Sequence, residues 1–330
     1  MLYIHGMGHF YPENVITNQF LEDLDIGTNS EWILDRVGIQ SRRTCMSLDY
    51  IKTTKNRDPR AALEASLYGD AQTGAAAARM ALDRAGLKAE DIGMVISGSS
   101  ASDYVSPAQA ALIAAELGIE VPCFDLNSAC TTYGMQIDFL NKMKADALPP
   151  FVLIVNPENF TRVLDYSNRS VAVLFGDGTS ASVISTVNPS PVAVMTSESD
   201  SKPSSWMKVF VPRMGFFEQD GHAVQGFAIR KSTDGLRSLQ SISKAGPERF
   251  IYIGHQANLG MLKTVCERCE IGEKNHWSNV AEYGNTASAG APGTLSLHWD
   301  ELKAGYDIGI SIVGAGLTWV NLLISVAEGK

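Results

Sequence analysis

Short apolar runs alternate along the chain with longer segments in which apolar residues recur every three or four positions. The short runs are typical of buried strands, and the longer periodicity is typical of helices with one buried face. The runs predict strands at residues 2–6, 92–97, 123–126, 151–155, 180–186, 192–196, 250–253, 277–280, 308–313 and 319–326. The periodic segments predict helices at residues 18–24, 30–37, 59–86, 107–117, 132–144, 224–244, 259–269 and 288–303. This alternation indicates an α/β protein with a largely buried sheet.

The predicted elements follow the same order in the two halves of the chain. In the first half, the helices at 59–86, 107–117 and 132–144 each lead into a strand. The helices at 224–244, 259–269 and 288–303 do the same in the second half. The repetition is one of element order and not of residues. It predicts two copies of one α/β unit, residues 1–187 and 188–330.

Composition and charge narrow the class of protein. The chain has 330 residues, of which 45% are hydrophobic, and this is enough for a large core. Its net charge of −9 argues against non-specific binding to nucleic acid or to anionic membranes. No apolar stretch is long enough to cross a bilayer, and residues 1–6 lack the basic start of a signal peptide. We therefore expect a cytoplasmic protein that binds neither nucleic acid nor membrane.

The five cysteines are too few and too scattered for a disulfide framework. Cys266 and Cys269 form a C-x-x-C pair, but the pair lies in a helical pattern and no second ligand pair follows at zinc-finger spacing. We therefore expect no metal site.

One cysteine, Cys130, stands between a predicted strand and a predicted helix. Residues 125–134 read DLNSACTTYG. A thiol at such a turn would face the positive end of the helix dipole and unpaired backbone N–H groups, and both favour the reactive thiolate. A small buried cysteine without chemical function fits the same pattern, so the turn alone does not decide.

Three further turns carry polar or glycine-rich residues. His255 directly follows the strand predicted at 250–253, where open α/β sheets form a crevice. Asn285 lies in a run of small residues ahead of a helix, where a helix cap is an equally good explanation. Residues 313–319 read VGAGLTW and offer unhindered backbone N–H groups, suited to an oxyanion or to a tight turn.

Taken together, these stretches resemble one family. DLNSAC at 125–130, FGDGTSA at 175–181, HQAN at 255–258, GNTAS at 284–288 and GAGLTW at 314–319 are similar to the signatures of β-ketoacyl-acyl-carrier-protein synthase III. Their order is the family's order, and the resemblance spans the chain. It implies a thiolase fold, in which two duplicated α/β halves form a layered α-β-α-β-α architecture, and this agrees with the repeated element order.

The resemblance also implies catalytic roles. Cys130 would be the nucleophile that takes an acyl group from a thioester. The backbone N–H groups of Cys130 and Ala315, in the turn that includes Gly316, would form the oxyanion hole. His255 and Asn285 would hydrogen-bond the carbonyl of a malonyl-type extender and stabilise the enolate formed on decarboxylation.

Substrate-binding positions follow from the same resemblance. They are Trp32 and Arg36 beside the adenine end of coenzyme A, Arg162 as a further basic contact, Ser106 at the acyl pocket, Trp206 and Phe217 in a variable segment that lines or caps it, and Asn258. The implied substrates are thioesters of coenzyme A or of acyl carrier protein, the implied assembly is a homodimer, and no bound cofactor is implied.

Departures from the family pattern indicate a specialised member. Ser106 stands before Pro107, where the family usually has a bulky aromatic residue that closes the acyl pocket across the dimer interface. Gly226 and Gly260 occupy positions that are commonly basic and help to dock the carrier protein. We therefore expect a wider or longer acyl channel and a role in secondary metabolite biosynthesis, of the polyketide type.

Other activities of the fold are weighed on the same residues. A biosynthetic thiolase would need a second cysteine in the last glycine-rich loop, and residues 314–319 have none. The larger elongating synthases use a histidine where Asn285 stands. Three alternatives remain open: acyl transfer to an alcohol or amine, the joining of two long acyl chains without decarboxylation, and a non-catalytic partner subunit of a ketosynthase.

Overall fold

Nine strands form one mixed β-sheet against which the helices pack, in a computed structural model that describes residues 1–327. The strands are β1 Leu2–Phe10, β2 Asn14–Thr17, β3 Ser41–Thr44, β4 Met94–Ser97, β5 Cys123–Asp125, β6 Val152–Glu158, β7 Gly178–Ser185, β8 Val192–Ser201, β9 Val209–Phe210, β10 Glu218–Gln219, β11 Phe250–Gly254, β12 Asp307–Gly314 and β13 Thr318–Val326. The helices are α1 Asn18–Asp23, α2 Ser30–Val37, α3 Leu48–Thr54, α4 Pro59–Glu64, α5 Asp70–Ala85, α6 Gln109–Leu117, α7 Thr132–Lys142, α8 Arg169–Ala172, α9 Gly221–Ile242, α10 Leu259–Arg268, α11 Val280–Tyr283 and α12 Gly290–Leu297.

The strand order repeats between the two halves of the chain. The sheet runs β11-β12-β13-β8-β1-β7-β6-β4-β5, and its halves meet where β1 pairs with β8. Moving outward from this junction, the first half contributes β1, β7, β6 and β4 to the sheet. The second half contributes β8, β13, β12 and β11 in the corresponding places. The first half adds β5 at its edge. The predicted boundary at 187–191 falls in the connection between β7 and β8, and the division into two domains stays a prediction.

Helices form layers outside and between the two halves of the sheet. Helix α5 covers β1 and β7, and α9 covers β12 and β13. Helices α7 and α12 each contact strands of both halves, α7 on β6 and β8 and α12 on β7 and β11. These contacts confirm the predicted α-β-α-β-α architecture.

Glycines in β1 allow α5 to lie directly on the strand. A Cβ atom on Gly8 would lie 2.0 Å from the carbonyl oxygen of Ala77, and one on Gly6 would lie 2.2 Å from that of Ala81. Both distances are far inside van der Waals contact, so this helix–strand approach requires glycine at both positions.

Three of the predicted elements are wrong in kind or extent. The helix predicted at 59–86 is two helices, because the chain leaves the helical path at 65–69 and Asp70, bound through its amide to Asp103, starts a new one. The strand predicted at 277–280 does not form, because the side-chain oxygen of Gln256 accepts the backbone N–H groups of Asn279 and Val280. The segment predicted at 288–303 is helical only in short pieces.

Within residues 1–327, no helix combines the length and the apolar character that crossing a membrane requires.

Candidate active site

The turn between β5 and α7 presents the Cys130 side chain to a cavity. Ala129 adopts a left-handed φ of 48°, which bends the chain sharply just before the cysteine. The side-chain oxygen of Asn127 holds the bend by accepting the Ala129 N–H at 3.0 Å and the Thr132 hydroxyl at 3.1 Å. The turn is therefore fixed by its own polar side chains, and Cys130 lies at its tip.

The cavity joins residues that lie far apart in the chain. It has a volume of about 230 Å³, and its lining includes Cys130, His255, Asn285 and Ala315. The structure thus brings together the three residues predicted to be catalytic, together with one residue of the predicted oxyanion hole. Their catalytic roles stay predictions.

The chain that follows β12 fits closely against the cysteine turn. A Cβ atom on Gly314 would lie 3.1 Å from the amide nitrogen of Thr131 and 3.2 Å from the Cβ of Cys130, so glycine suits this contact. The close approach brings the N–H of Ala315 to the Cys130 sulfur. Gly316 does not line the cavity, and its φ of 126° is open to glycine almost alone, so its place is in the turn.

The electrostatics of Cys130 differ from the expectation for a helix N-terminus. Burial raises the pKa of the thiol to about 12, and the nearby carboxyl of Glu158 adds to this rise. The backbone N–H groups of Cys130 and Ala315 act in the opposite direction but do not outweigh burial. The turn therefore does not give the preformed thiolate that the sequence predicted, because burial opposes the charge on the sulfur more strongly than the backbone N–H groups favour it. The same N–H groups remain available to a charge that develops during a reaction.

His255 is neutral and keeps a free ring nitrogen. Its side chain is buried, and burial lowers its pKa to about 4. Its backbone N–H donates to the carbonyl of Ser311 at 2.9 Å, which ties the residue to β12. Nδ1 has no hydrogen-bond partner among the described residues. A neutral imidazole directly after a strand can serve the cavity as a hydrogen-bond donor.

The amide of Asn285 is oriented by the loop that carries it. Its Oδ1 accepts the backbone N–H of Ala287 at 2.9 Å, and its own N–H donates to the carbonyl of Leu174 at 2.9 Å. The oxygen therefore closes a local turn, and the helix cap that the sequence offered as an alternative is not formed, because Thr286 is the N-cap of the short helix at 287–289. The NH₂ group donates to no other residue of the described part of the chain and is free to bind a ligand.

Comparison with known proteins identifies the family. The family model described as 3-oxoacyl-[acyl-carrier-protein (ACP)] synthase III matches residues 124–203, and the model of its C-terminal region matches residues 250–326. Two regions of the chain, one in each half, thus match the β-ketoacyl-[acyl-carrier-protein] synthase III family. This confirms the predicted family and the predicted class of enzyme, a condensing acyltransferase.

Relatives of known name match over nearly the full length of this synthase. The β-ketoacyl-[acyl-carrier-protein] synthase III of Sulfurovum sp. is 28% identical over 350 residues, covering 98% of this chain and 95% of the relative. The crystal structure of the corresponding protein of Aquifex aeolicus superposes with a TM-score of 0.85 at 27% identity, covering 98% of this chain and all (100%) of the other. That of Pseudomonas aeruginosa also gives a TM-score of 0.85, at 26% identity, over 100% and 99% of the two chains.

Basic and aromatic side chains meet at the rim of the cavity of this synthase. Arg169 lies 5.0 Å from the ring centre of Trp32, and Arg36 lies 6.0 Å from the same ring. Arg36 and Ser170 line the cavity, and Arg169 also donates to the carbonyl of Gly27. Sequence reasoning missed Arg169, although it is a second arginine ahead of the FGDG motif and so was a candidate for the same contact.

Arg162, which was predicted for that contact, lies elsewhere. Its guanidinium is buried, pairs with Asp70 at 2.9 Å and with Asp103, and donates to the carbonyl of Ala101 at 3.0 Å. These groups occupy its donors, so none faces the cavity that holds Cys130. The structure therefore places Arg162 away from this cavity, and Arg169 lies at its rim beside Trp32.

Two other predicted substrate-binding residues do line the cavity. Phe217 is buried and forms part of the cavity wall, and Asn258 directly precedes α10. The Oδ1 atom of Asn258 accepts the N–H of Met261 at 2.7 Å and so caps that helix. Contact of either residue with a substrate stays a prediction.

Ser106 and Trp206 lie outside the cavity. Ser106 is exposed on the connection between β4 and α6. Trp206 is 58% exposed and contacts Phe210 edge to face at 6.3 Å. Trp206 therefore does not line the cavity within this chain, and the alternative that its segment caps the pocket stays a prediction.

Proposed function

We propose that this synthase transfers an acyl group from a thioester to Cys130 and then condenses it with a malonyl-type thioester, with loss of carbon dioxide, or with a β-ketoacyl-type thioester, with loss of an α-proton. One observation carries the proposal. Cys130, a neutral His255 and the free amide NH₂ of Asn285 line one cavity together with Ala315. This set provides a nucleophile and separate hydrogen-bond donors for two different carbonyl oxygens.

In the first half-reaction the sulfur of Cys130 attacks the thioester carbonyl. A new carbon–sulfur bond forms, the negative charge moves to the carbonyl oxygen, and the backbone N–H groups of Cys130 and Ala315 stabilise it. The bond to the donor's sulfur then breaks, and the donor leaves as a thiol with the proton that Cys130 loses. Because the resting thiol has a high pKa, this proton leaves as the sulfur attacks and not before.

In the second half-reaction His255 and Asn285 hold the carbonyl oxygen of the extender. Carbon dioxide leaves, and its bonding electrons form an enolate whose oxygen both donors stabilise. The enolate carbon attacks the acyl carbon, and the Cys130 sulfur leaves and regains a proton. With its pKa at about 4, His255 needs no proton transfer to act as a donor near neutral pH.

The rim of the cavity favours a coenzyme A thioester as the acyl donor. An aromatic ring between two guanidinium groups, as at Trp32, Arg36 and Arg169, suits an adenine ring and phosphates. The names of the relatives support acyl carrier protein as the carrier of the extender. With Gly226 and Gly260 at two docking positions, Arg230, Lys231 and Lys263 are the cations that would meet an acidic carrier.

We further propose a cytoplasmic homodimer in which Ser106 lies near the acyl pocket of the partner chain. A serine in place of an aromatic residue supports a wide acyl channel and a role in secondary metabolism. Acyl-chain profiling tests this, since a strict preference for acetyl groups would refute it. The proposed reaction uses no bound cofactor.

The test is to follow the two half-reactions separately. Incubation with acyl-coenzyme A should add one acyl group to the intact mass, and malonyl thioester should then release carbon dioxide. Cys130→Ala should abolish the adduct, whereas Cys123→Ala, a change at another half-buried thiol, should not. An adduct without decarboxylation would favour transfer to another acceptor, and no adduct would favour a non-catalytic partner subunit.

A further inference from the structure

Glu158, the last residue of β6, carries a buried carboxylate that the proposed reaction does not use. Its Oε1 accepts from the hydroxyl of Ser288 at 2.5 Å and from the backbone N–H of the same residue at 3.3 Å. Its Oε2 accepts from the N–H of Ser100 at 3.1 Å and the hydroxyl of Ser99 at 3.4 Å. Glu158 has no exposed surface and forms no ion pair within residues 1–327. Neutral donors alone therefore hold its charge.

Two of the three serines that contact Glu158, Ser288 and Ser99, lead to different sides of the active site. Ser288 belongs to the loop of Asn285, whose Oδ1 accepts the N–H of Ala287. Ser99 leads to the other side, because its carbonyl accepts the side-chain NH₂ of Asn127 at 2.7 Å.

Asn127 completes the link to the nucleophile. Its Oδ1 accepts the N–H of Ala129, the residue whose left-handed bend presents Cys130. Glu158 thus connects, through short chains of hydrogen bonds, the turn of the nucleophile with the loop of the amide donor. No other carboxylate in the described part of the chain accepts hydrogen bonds from both the 99–100 and the 287–289 segments.

We propose that Glu158 is a positioning residue that holds the cysteine turn and the Asn285 loop together and so sets the reactivity of the Cys130 thiol. This inference rests on the role of Cys130 in the proposed function. It is tested by alkylation of the thiol, which needs neither acyl donor nor extender, so the two can fail independently.

The electrostatics of the site agree with such a role. Burial raises the pKa of Glu158 to about 7, and the carboxylate in turn raises the pKa of the Cys130 thiol. Between about pH 6 and pH 8 the charge on Glu158 therefore appears, and the thiol becomes harder to ionise. Asp70, the other acidic group that faces Glu158, is paired with Arg162, and His255 stays neutral throughout this range.

The measurement is the rate of Cys130 alkylation by iodoacetamide between pH 5.5 and 9.5, with the modified residue identified by peptide mass mapping. At any pH below its pKa, an isolated thiol reacts about tenfold faster with each unit of increase in pH, because the thiolate is the reactive form. We expect the native protein to show a shallower rise between about pH 6 and pH 8, where Glu158 ionises. In Glu158→Gln we expect the logarithm of the alkylation rate to rise linearly with pH. The rate should equal that of the native protein at pH 5.5 and exceed it about threefold to tenfold at pH 9.

Three further variants separate charge from structure. Glu158→Asp keeps the charge, so the shallow region should remain. Asp307→Asn removes a buried carboxylate at the opposite end of β12 from the cavity and should leave the profile unchanged. Ser288→Ala removes the shortest hydrogen bond to Glu158, raises the pKa of that carboxyl, and should move the shallow region to higher pH.

Two results would overturn the inference. A native profile that rises without a shallow region contradicts it even if Glu158→Gln does not fold. A shallow region that persists unchanged in Glu158→Gln would assign the effect to another group, with Asp70 the first candidate.

Discussion

Replacing Asn285 by aspartate should separate the two half-reactions of the synthase. Aspartate has the same shape and keeps the oxygen that accepts the N–H of Ala287 at 2.9 Å, so the loop should stay in place. The NH₂ donor that faces the cavity becomes an oxygen, which cannot donate to the enolate and repels it when ionised.

The size of the effect follows from the loss of that donor. Removing one hydrogen bond to a developing oxyanion slows a reaction by about 10²-fold to 10³-fold. The new charge lies in a site that is 6% exposed, where repulsion adds to this loss, so we expect carbon dioxide release to fall by at least about 10³-fold. Acylation of Cys130 should slow by about tenfold at most, because it uses other donors and suffers only from the nearby charge.

The assay measures both steps in one sample, acylation by intact mass and decarboxylation by labelled carbon dioxide from malonyl thioester. Asn258→Asp is the matched control, because Asn258 lines the same cavity and its Oδ1 also caps a backbone N–H. It adds the same charge away from the proposed carbonyl site. If Asn285→Asp released carbon dioxide within fivefold of the native rate, the proposed role of Asn285 would be refuted.

Three further predictions concern the rim, the sheet and the pH dependence. Arg169→Ala should raise the KM for acyl-coenzyme A about tenfold with little change in kcat, whereas Arg162→Ala should cost about 3–5 kcal/mol of stability because it leaves buried carboxylates unpaired. The reverse pattern in steady-state kinetics and urea unfolding would contradict this. Gly8→Ala should destabilise the protein by at least about 3 kcal/mol, since its Cβ would lie 2.0 Å from the Ala77 carbonyl, and an unchanged Tm would refute the close approach. The pKa of His255 is lowered from 6.5 to about 4, so the unfolded chain gains a proton that the folded protein does not, and stability falls as pH falls through this window. His255→Asn should remove about 2–3 kcal/mol of the loss between pH 7 and pH 4.5, and equal losses in both proteins would contradict the shift.

Most of what could be predicted about the site came from short sequence motifs. Cys130, His255 and Asn285 each stand in a short local motif, and such motifs keep the residue types that the chemistry needs together in sequence. Most strands of the large sheet were visible as apolar runs, because strands buried on both faces are rich in apolar side chains. The amino-acid sequence by itself therefore determined the fold class and the family, and it singled out Cys130, His255 and Asn285, which line the cavity.

Tertiary structure decided what each group is free to do. Arg162 and Arg169 read alike in the sequence, but only the fold brings Asp70 and Asp103 to Arg162 and leaves Arg169 against Trp32. The segment at 277–280 forms no strand, because the side chain of Gln256 accepts the backbone N–H groups of Asn279 and Val280. In the same way, the turn around Cys130 predicts an acidic thiol, and burial beside Glu158 makes it a weak one. Ion pairing, competition for hydrogen bonds and exclusion of water depend on groups that are distant in the sequence, and only the folded chain brings them together.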